Sequence, residues 1–142
     1  MGNGVYMIPI KDIMTRQVIT VKPDMRIFDA MALLTKHAIS GMPVVGDDSS
    51  LKGMLTEKDV LEILIKKDFN AKDTVEDYMS RNVVSFGEGA DAVDICKFFM
   101  KNTIRRVPII TEGKLVGIVS RRDIIKLILE YKSKLSLEHR YN

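Results

Sequence analysis

Lys11-Asp12-Ile13-Met14-Thr15-Arg16-Gln17-Val18-Ile19-Thr20 returns as Glu76-Asp77-Tyr78-Met79-Ser80-Arg81-Asn82-Val83-Val84-Ser85, with Met79 sixty-five residues after Met14. At the same offset Asp29 meets Asp94, Lys36 meets Lys101, Ile39 meets Ile104 and Pro43 meets Pro108. Farther on, Leu51-Lys52-Gly53-Met54-Leu55-Thr56 matches Leu115-Val116-Gly117-Ile118-Val119-Ser120, now with an offset of sixty-four. The lost residue falls between Asp47-Asp48-Ser49-Ser50 and Glu112-Gly113-Lys114, a polar stretch where a hairpin turn absorbs a deletion. A period of this length marks a structural unit written twice.

Each copy reads the same way. Val18 to Val21 and Val83 to Phe86 are rich in β-branched residues and predict an opening strand. Ile27, Met31, Leu34 and Ala38 follow at helical spacing, and Ala92, Cys96, Phe99 and Thr103 repeat that spacing in the second copy. Two apolar runs split by a polar turn predict a β-hairpin, Met42 to Val45 with Leu51 to Leu55, then Val107 to Ile110 with Leu115 to Val119. A second helix closes each copy, from about Glu57 to Lys66 and from about Arg121 to Lys132. The expected fold class is α+β: two pseudo-symmetric β-α-β-β-α units packed together as one compact module. The first unit covers 8–66, a polar linker 67–73, the second unit 74–132 and a basic C-terminal tail 133–142. One such unit buries too little apolar surface to be comfortably stable alone. A cleft between two packed halves is a natural ligand site.

The bulk properties are those of an ordinary globular chain: 142 residues, 46% hydrophobic and 29% charged. No apolar run approaches the roughly 20 residues that span a bilayer. Met1-Gly2-Asn3-Gly4 lacks the zones of a secretory signal, and Tyr6 stands where a myristoylation signal carries Ser or Thr. A cytoplasmic location is expected by default, with no membrane partner. The net charge of +3 is spread along the chain, so nucleic acid is not an expected partner, although the segment from Lys132 to Arg140 is locally basic. Cys96 is the one cysteine and is expected in the core. His37 and His139 stand in no metal-ligand spacing, and no nucleophile elbow, phosphate loop or dinucleotide fingerprint occurs. The chain is expected to be no enzyme, with no catalytic residue and no metal.

The recurring polar signal is Gly53-x-x-Thr56-x-x-Asp59 and Gly117-x-x-Ser120-x-x-Asp123. A hydroxyl just before a helix and an acid three residues later cap the helix and complement its dipole, a contribution of about 1 kcal/mol. The same groups suit a nucleotide, because free N–H groups at a helix start attract phosphate and a carboxylate accepts ribose hydroxyls. Capping by itself does not account for glycine, hydroxyl and acid recurring together.

The order Asp-x-Met-[Thr/Ser], apolar-Pro-[Val/Ile]-[Val/Ile] and Gly-x-x-[Thr/Ser]-x-x-Asp, found twice over about residues 8 to 131, resembles a stand-alone tandem pair of cystathionine-β-synthase-type (CBS) domains. The resemblance implies a regulatory, non-catalytic sensor that binds AMP, ADP, ATP or an S-adenosylmethionine-type ligand in the clefts of the pair, without any required cofactor. It implies that Asp59 and Asp123 hold ribose hydroxyls and that Thr56 and Ser120 contact ribose or phosphate. Met14, Ile19 and Ile118 would line the cleft of Asp123, and Met79, Val84 and Met54 that of Asp59; ordinary core packing is the alternative for each. Arg105 and Arg106, where the first copy has Ser40 and Gly41, would meet phosphate and make the Asp123 cleft the tighter phosphate site. The Asp59 cleft would then take a less charged ligand or stay empty. The resemblance also implies a homodimer through the helices, using the apolar faces of Val60 to Ile65 and Ile124 to Leu129, and an effector protein of unknown identity. The alternative is a protein-interaction or RNA/DNA-binding scaffold with a vestigial ligand cleft.

Overall fold

Polar turns with residues that tolerate positive φ decide where this chain folds back on itself. In the computed structural model, which describes residues 7–141 with side chains through residue 132, Ser49, Glu112 and Gly113 have φ of 69°, 53° and 77°. Positive φ at Glu112 and Gly113 in succession is the backbone of a two-residue hairpin turn whose twist matches its strands. The single-residue gap between the copies therefore falls where expected. Strands β1 (Gly41–Val45) and β2 (Leu51–Thr56) pair antiparallel, from Gly41 opposite Thr56 to Val45 opposite Leu51. Strands β4 (Arg106–Thr111) and β5 (Lys114–Ser120) make the second hairpin, which β3 (Phe86–Gly87) extends to a three-stranded sheet of order β3-β4-β5.

The opening strands are shorter than their composition predicts. In the first copy only Val21 bridges, parallel to Val44; in the second, β3 is Phe86–Gly87 alone. β-branched residues favour extended backbone, but a ladder also needs a partner. Val21 finds one through its N–H to the Pro43 carbonyl and its carbonyl to Val45 N–H. Two residues later Pro23 has no N–H to donate.

Helix α1 (Ile27–His37) buries Ile27, Ala30 and Leu34, and α3 (Ala92–Lys101) buries Ala92, Ile95 and Phe99. The buried stripe is thus rotated from the expected face. Met31 and Cys96 are half-buried at its border, so Cys96 is not the core residue expected. Ala38 is the left-handed C-cap of α1, at φ 52°, and Thr103 lies beyond the end of α3. The closing helix of the first copy is also shorter: α2 (Glu57–Leu61) tightens at once into a 3-10 turn, Glu62–Leu64. Its counterpart α4 (Arg121–Tyr141) is longer than expected. The segment read as a tail, 133–142, continues α4 through Tyr141, since no Gly or Pro interrupts it after Arg121. The side chains of that basic stretch and of His139, and the residues Met1 to Tyr6, lie outside the described part.

The compact bodies are not the two sequence copies. One, here the Asp59 body, comprises Gln17–Val84 with Ile110–Leu115; the other, the Asp123 body, comprises the chain through Arg16, Ser85–Ile109 and the chain from Val116 onward. Each has its own core. Ile10 and Met14, from the first copy, are buried with Ile95, Phe99, Val107, Ile109 and Val119. Val75 and Tyr78, from the second, are buried with Val21, Ile27, Leu34, Val44 and Leu55. The repeat boundaries at 66 and 74 and the boundaries of the bodies are different divisions of one chain.

Each exchanged segment is fastened by the same bonds. In the Asp123 body Ile10 N–H reaches the Ala90 carbonyl at 3.0 Å and Ala92 N–H reaches that of Ile8 at 2.8 Å. In the Asp59 body Val75 N–H reaches Met25 and Ile27 N–H reaches Asp73, both at 2.9 Å. Asp91 adds a clamp, accepting at Oδ1 from the Val93 and Ile8 amides at 3.1 Å and so capping α3 while holding the segment. Beside the other segment Tyr78 donates its hydroxyl to Asp73 Oδ2 at 2.7 Å. No helix among the described residues is long and apolar enough to cross a membrane.

Candidate functional site

Both helices that follow the Gly-x-x-[Thr/Ser]-x-x-Asp signature start on a reciprocal cap. Thr56 N–H and Oγ1 both donate to Asp59 Oδ2, at 2.9 and 3.0 Å, and Asp59 N–H returns to Thr56 Oγ1 at 3.4 Å. In the other body Ser120 N–H and Oγ donate to Asp123 Oδ2 at 2.8 and 3.1 Å, and Asp123 N–H returns at 3.2 Å. The two bonds that each carboxylate accepts from its cap residue both fall on Oδ2, and neither on Oδ1. Both acids are half-buried. A carboxylate held rigidly through one oxygen presents the other as a directed acceptor.

The glycine has a separate cause. Thr15 and Ile118 exchange two backbone hydrogen bonds of 2.9 Å, and Ser80 and Met54 do the same. An ideal Cβ on Gly117 would stand 2.5 Å from Met14 Sδ, and one on Gly53 would stand 2.5 Å from the Ser80 carbonyl oxygen. Close approach of the exchanged segment leaves no room for a side chain. Capping and close approach together therefore explain glycine, hydroxyl and acid in both copies. Structure alone suffices for the pattern, contrary to the reading that something further was needed. The Asp-x-Met-[Thr/Ser] motif is the other half of that contact. Its role was missed in sequence, although the shared offset of Thr15 with Ser80 was the available signal.

Placement of the predicted residues follows. The Asp123 body holds Met14, Arg105, Arg106, Ile118, Ser120 and Asp123. Arg105 is drawn to the helix start through its backbone, accepting from Arg121 N–H at 3.0 Å; Ser40 accepts likewise from Glu57 N–H at 2.9 Å. The Arg105 side chain is exposed and that of Arg106, at the head of β4, is half-buried. Met14 and Ile118 are buried, so each contributes to packing. Ile19 is not among this group, being a half-buried residue packed on the core of the other body. The Asp59 body holds Met54, Thr56, Asp59, Met79 and Val84. Met54 is buried, Met79 half-buried against the core, and Val84 exposed.

Two charged residues escaped the sequence reading. Arg121 sends Nη2 to the carbonyls of Phe99 at 3.1 Å and Asn102 at 2.7 Å, closing the C-terminus of α3. Glu57 takes the matching position at the start of α2. Among the described residues no group of three or more His, Cys, Asp or Glu could hold a metal ion.

With the repeat, the caps and the exchanged segments in place, the family follows from comparison. The CBS domain model matches residues 10–66 and again 75–130. The chain belongs to the CBS domain family. An uncharacterized protein of Methanocaldococcus jannaschii is 33% identical over 120 residues, 84% of this chain but 42% of that one. An inosine-5′-monophosphate dehydrogenase of Aquifex aeolicus is 35% identical over 109 residues, 76% of this chain and only 22% of the enzyme. The chain thus spans less than half of these curated relatives. Among solved structures, CBSX2 in complex with AMP has a TM-score of 0.80 at 27% identity, covering 87% of this chain and 98% of that one. The CBS domain pair of protein MJ0100, in complex with 5′-methylthioadenosine and S-adenosyl-L-methionine, has a TM-score of 0.75 at 30% identity, covering 87% and 97%.

Proposed function

We propose that this CBS pair is a non-catalytic regulatory module that binds adenosine-type ligands, with Asp123 and Asp59 as the ribose acceptors. The observation that carries the reading is the pair of capped carboxylates, each with Oδ2 committed to its own helix and Oδ1 left out of those bonds. A rigid acceptor of this kind loses little freedom on binding, which favours affinity. The ligands named with similar CBS pairs, AMP in one and 5′-methylthioadenosine with S-adenosylmethionine in the other, support the same chemistry here.

Phosphorylated ligands belong at the Asp123 group on this reading. Arg105 and Arg106 enter β4 beside the start of α4, a helix of 21 residues whose positive end favours anions. Ser40 and Gly41 occupy the matching place in the Asp59 body, and α2 has only five residues.

A second copy of the chain is the partner we assign to the helices. The closing helices bury Val60, Ile124 and Leu127 in their own cores but expose Leu61, Leu64 and Ile65 in one body and Ile125, Ile128 and Leu129 in the other. Leu64 and Ile65 are 92% and 82% exposed, an apolar exposure that association would relieve. Regulation requires that ligand bind two states of the assembly with different affinity.

Titration calorimetry with AMP, ADP, ATP, S-adenosylmethionine and a short RNA tests the reading. Asp123→Ala should weaken AMP by roughly 30- to 150-fold, the worth of a charge-assisted hydrogen bond of about 2–3 kcal/mol. Asp59→Ala should change AMP affinity far less. Equal losses would overturn the asymmetry. Binding of RNA alone, steeply weakened by salt, would replace the sensor with the scaffold reading.

A further inference from the structure

The two hairpin turns, where the repeat loses its one residue, are bonded to each other. Leu51 N–H reaches the Gly113 carbonyl at 3.2 Å, and Leu115 N–H reaches the Ser49 carbonyl at 3.0 Å. Between those bonds Ser50 and Lys114 stand directly opposite as an antiparallel, non-hydrogen-bonded pair. Ser49 with Gly113, Ser50 with Lys114 and Leu51 with Leu115 are all sixty-four residues apart, so each copy makes the same bond to the other. Both accepting carbonyls belong to residues of positive φ, Ser49 at 69° and Gly113 at 77°. For Gly113 the hairpin turn accounts for that conformation. For Ser49 it is strained backbone, which persists only where surrounding bonds hold it and which points to a working element. Its turn is braced from within: Ser49 N–H donates to the Gly46 carbonyl and Ser50 N–H to Asp48 Oδ1, both at 3.0 Å.

We propose that this pair of bonds is a clasp that couples the start of α2 to the start of α4, so that the two capped helix starts respond as one unit. The clasp holds the first residues of two strands whose last residues are the caps: β2 runs from Leu51 to Thr56 and β5 from Lys114 to Ser120. Its place in the chain is that of a link. Ile110–Leu115 belongs to the Asp59 body, while β5 continues from Val116 in the Asp123 body. Between clasp and cap neither strand is free to absorb a displacement. β2 pairs with β1 from Leu51 to Thr56 and exchanges two bonds with Ser80; β5 pairs with β4 and exchanges two with Thr15. The clasp is the weak point, two backbone bonds between turns whose residues 47–49 and 111–114 are exposed. Structure of that kind opens before a core does, which gives the clasp a closed and an open state that both caps bias. Loss of the cap at one end frays that strand, opens the clasp and releases the start of the other strand. The coupling runs through this chain's own backbone and is independent of the adenosine-binding reading.

The test is amide hydrogen exchange by NMR on the full chain, read at Leu51 and at the Asp59 amide that closes the α2 cap. Ser120→Ala removes the α4 cap and should speed exchange at both roughly fivefold, the low end of typical coupling between sites. Thr56→Ala should speed the Asp123 amide by a similar factor, because such coupling is reciprocal. Leu51→Pro deletes one donor of the clasp at the first residue of β2, where a strand tolerates proline, and Leu51→Ala controls for the side chain. With the donor gone, the Asp59 amide should exchange fast whether or not Ser120 is replaced. A clasp locked by a disulfide, from Ser50→Cys with Lys114→Cys in a Cys96→Ser background, should do the opposite. Exchange at Asp59 should then be slow and again insensitive to Ser120→Ala, with sensitivity restored by reductant. Where Leu51→Pro loses its far-UV circular dichroism, the oxidised and reduced forms of the disulfide variant decide alone. An Asp59 amide that ignores Ser120→Ala in the parent, or responds equally with the clasp locked, would overturn the inference. Failure of the two introduced cysteines to join under oxidation would overturn it as well, and neither result bears on ligand binding.

Discussion

Alanine at Gly53 sets a methyl group 2.5 Å from the Ser80 carbonyl oxygen, and that oxygen has nowhere to go. Ser80 is joined to Met54 by two backbone hydrogen bonds of 2.9 Å, and the segment behind it is anchored by buried Val75 and Tyr78. Overpacking of a well-filled site costs about 1–3 kcal/mol. Displacing the segment also weakens two backbone hydrogen bonds, each worth about 0.5–1.5 kcal/mol net. Gly53→Ala should therefore lose about 2–4 kcal/mol. Gly117→Ala is the informative comparison, because its Cβ meets the Met14 thioether first, at 2.5 Å, and the Thr15 carbonyl oxygen only at 3.0 Å. A flexible thioether yields where a paired carbonyl does not, so about 1–2 kcal/mol is expected. Gly89, with nothing within 4 Å of a built Cβ, is the control, and alanine there should stay within about 0.5 kcal/mol. Urea unfolding followed by far-UV circular dichroism, with the slope m held constant, gives the three values. A Gly53→Ala variant as stable as the Gly89→Ala control, or a Gly117→Ala variant clearly worse than Gly53→Ala, would refute the close-approach account of the glycine.

Arg121→Ala removes both bonds that close α3, at a cost of about 1–2 kcal/mol, while relieving a cation at the positive end of α4 worth about 0.3–1 kcal/mol. A net loss near 1 kcal/mol by thermal unfolding is expected, with faster amide exchange confined to the last turn of α3. Burial of Tyr78, with its hydrogen bond to Asp73 and that carboxylate's charge, pushes the phenol up to about 12, and the same bond holds Asp73 below its ordinary value. The phenol's contribution is complete below about pH 10, its ordinary value, and is lost as pH rises through about 12. Melting temperature should fall over that window in the parent and stay flatter in Tyr78→Phe; parallel curves would refute the coupling. Leu64→Glu should shift sedimentation toward the monomer with secondary structure intact, and an unchanged sedimentation profile would remove that helix from the proposed interface.

Much of the fold was legible because the relevant signals are local. Positive-φ turns, β-branched runs and a hydroxyl three residues before an acid declare themselves within a few residues, so both hairpins and both helix starts fell where expected. Helix faces were less legible. A spacing of three to four cannot choose between Ile95 and Cys96 until the neighbouring strands show which side is covered. Length of an element was less legible still: α2 and α4 begin on equivalent caps, yet one ends after five residues and the other runs for 21. Of the candidate site, the acids and hydroxyls were visible as a motif. The part played by Arg121 was not, because it comes from the Phe99 and Asn102 carbonyls at the end of a helix some twenty residues earlier in the chain.

The amino-acid sequence by itself determined that one unit is written twice, that each unit turns at 47–50 or 112–114, and that each closing helix starts on a hydroxyl–acid cap. Those are properties of short stretches of backbone, set by steric preference and local hydrogen bonding. Only the tertiary structure decided which copy's opening segment serves which core. Ile10 and Met14 are apolar wherever they pack, and hydrophobic burial has no direction that a sequence could record. The 2.9 Å bonds from Thr15 to Ile118 and from Ser80 to Met54, against glycines with no side chain to hold them off, make that choice.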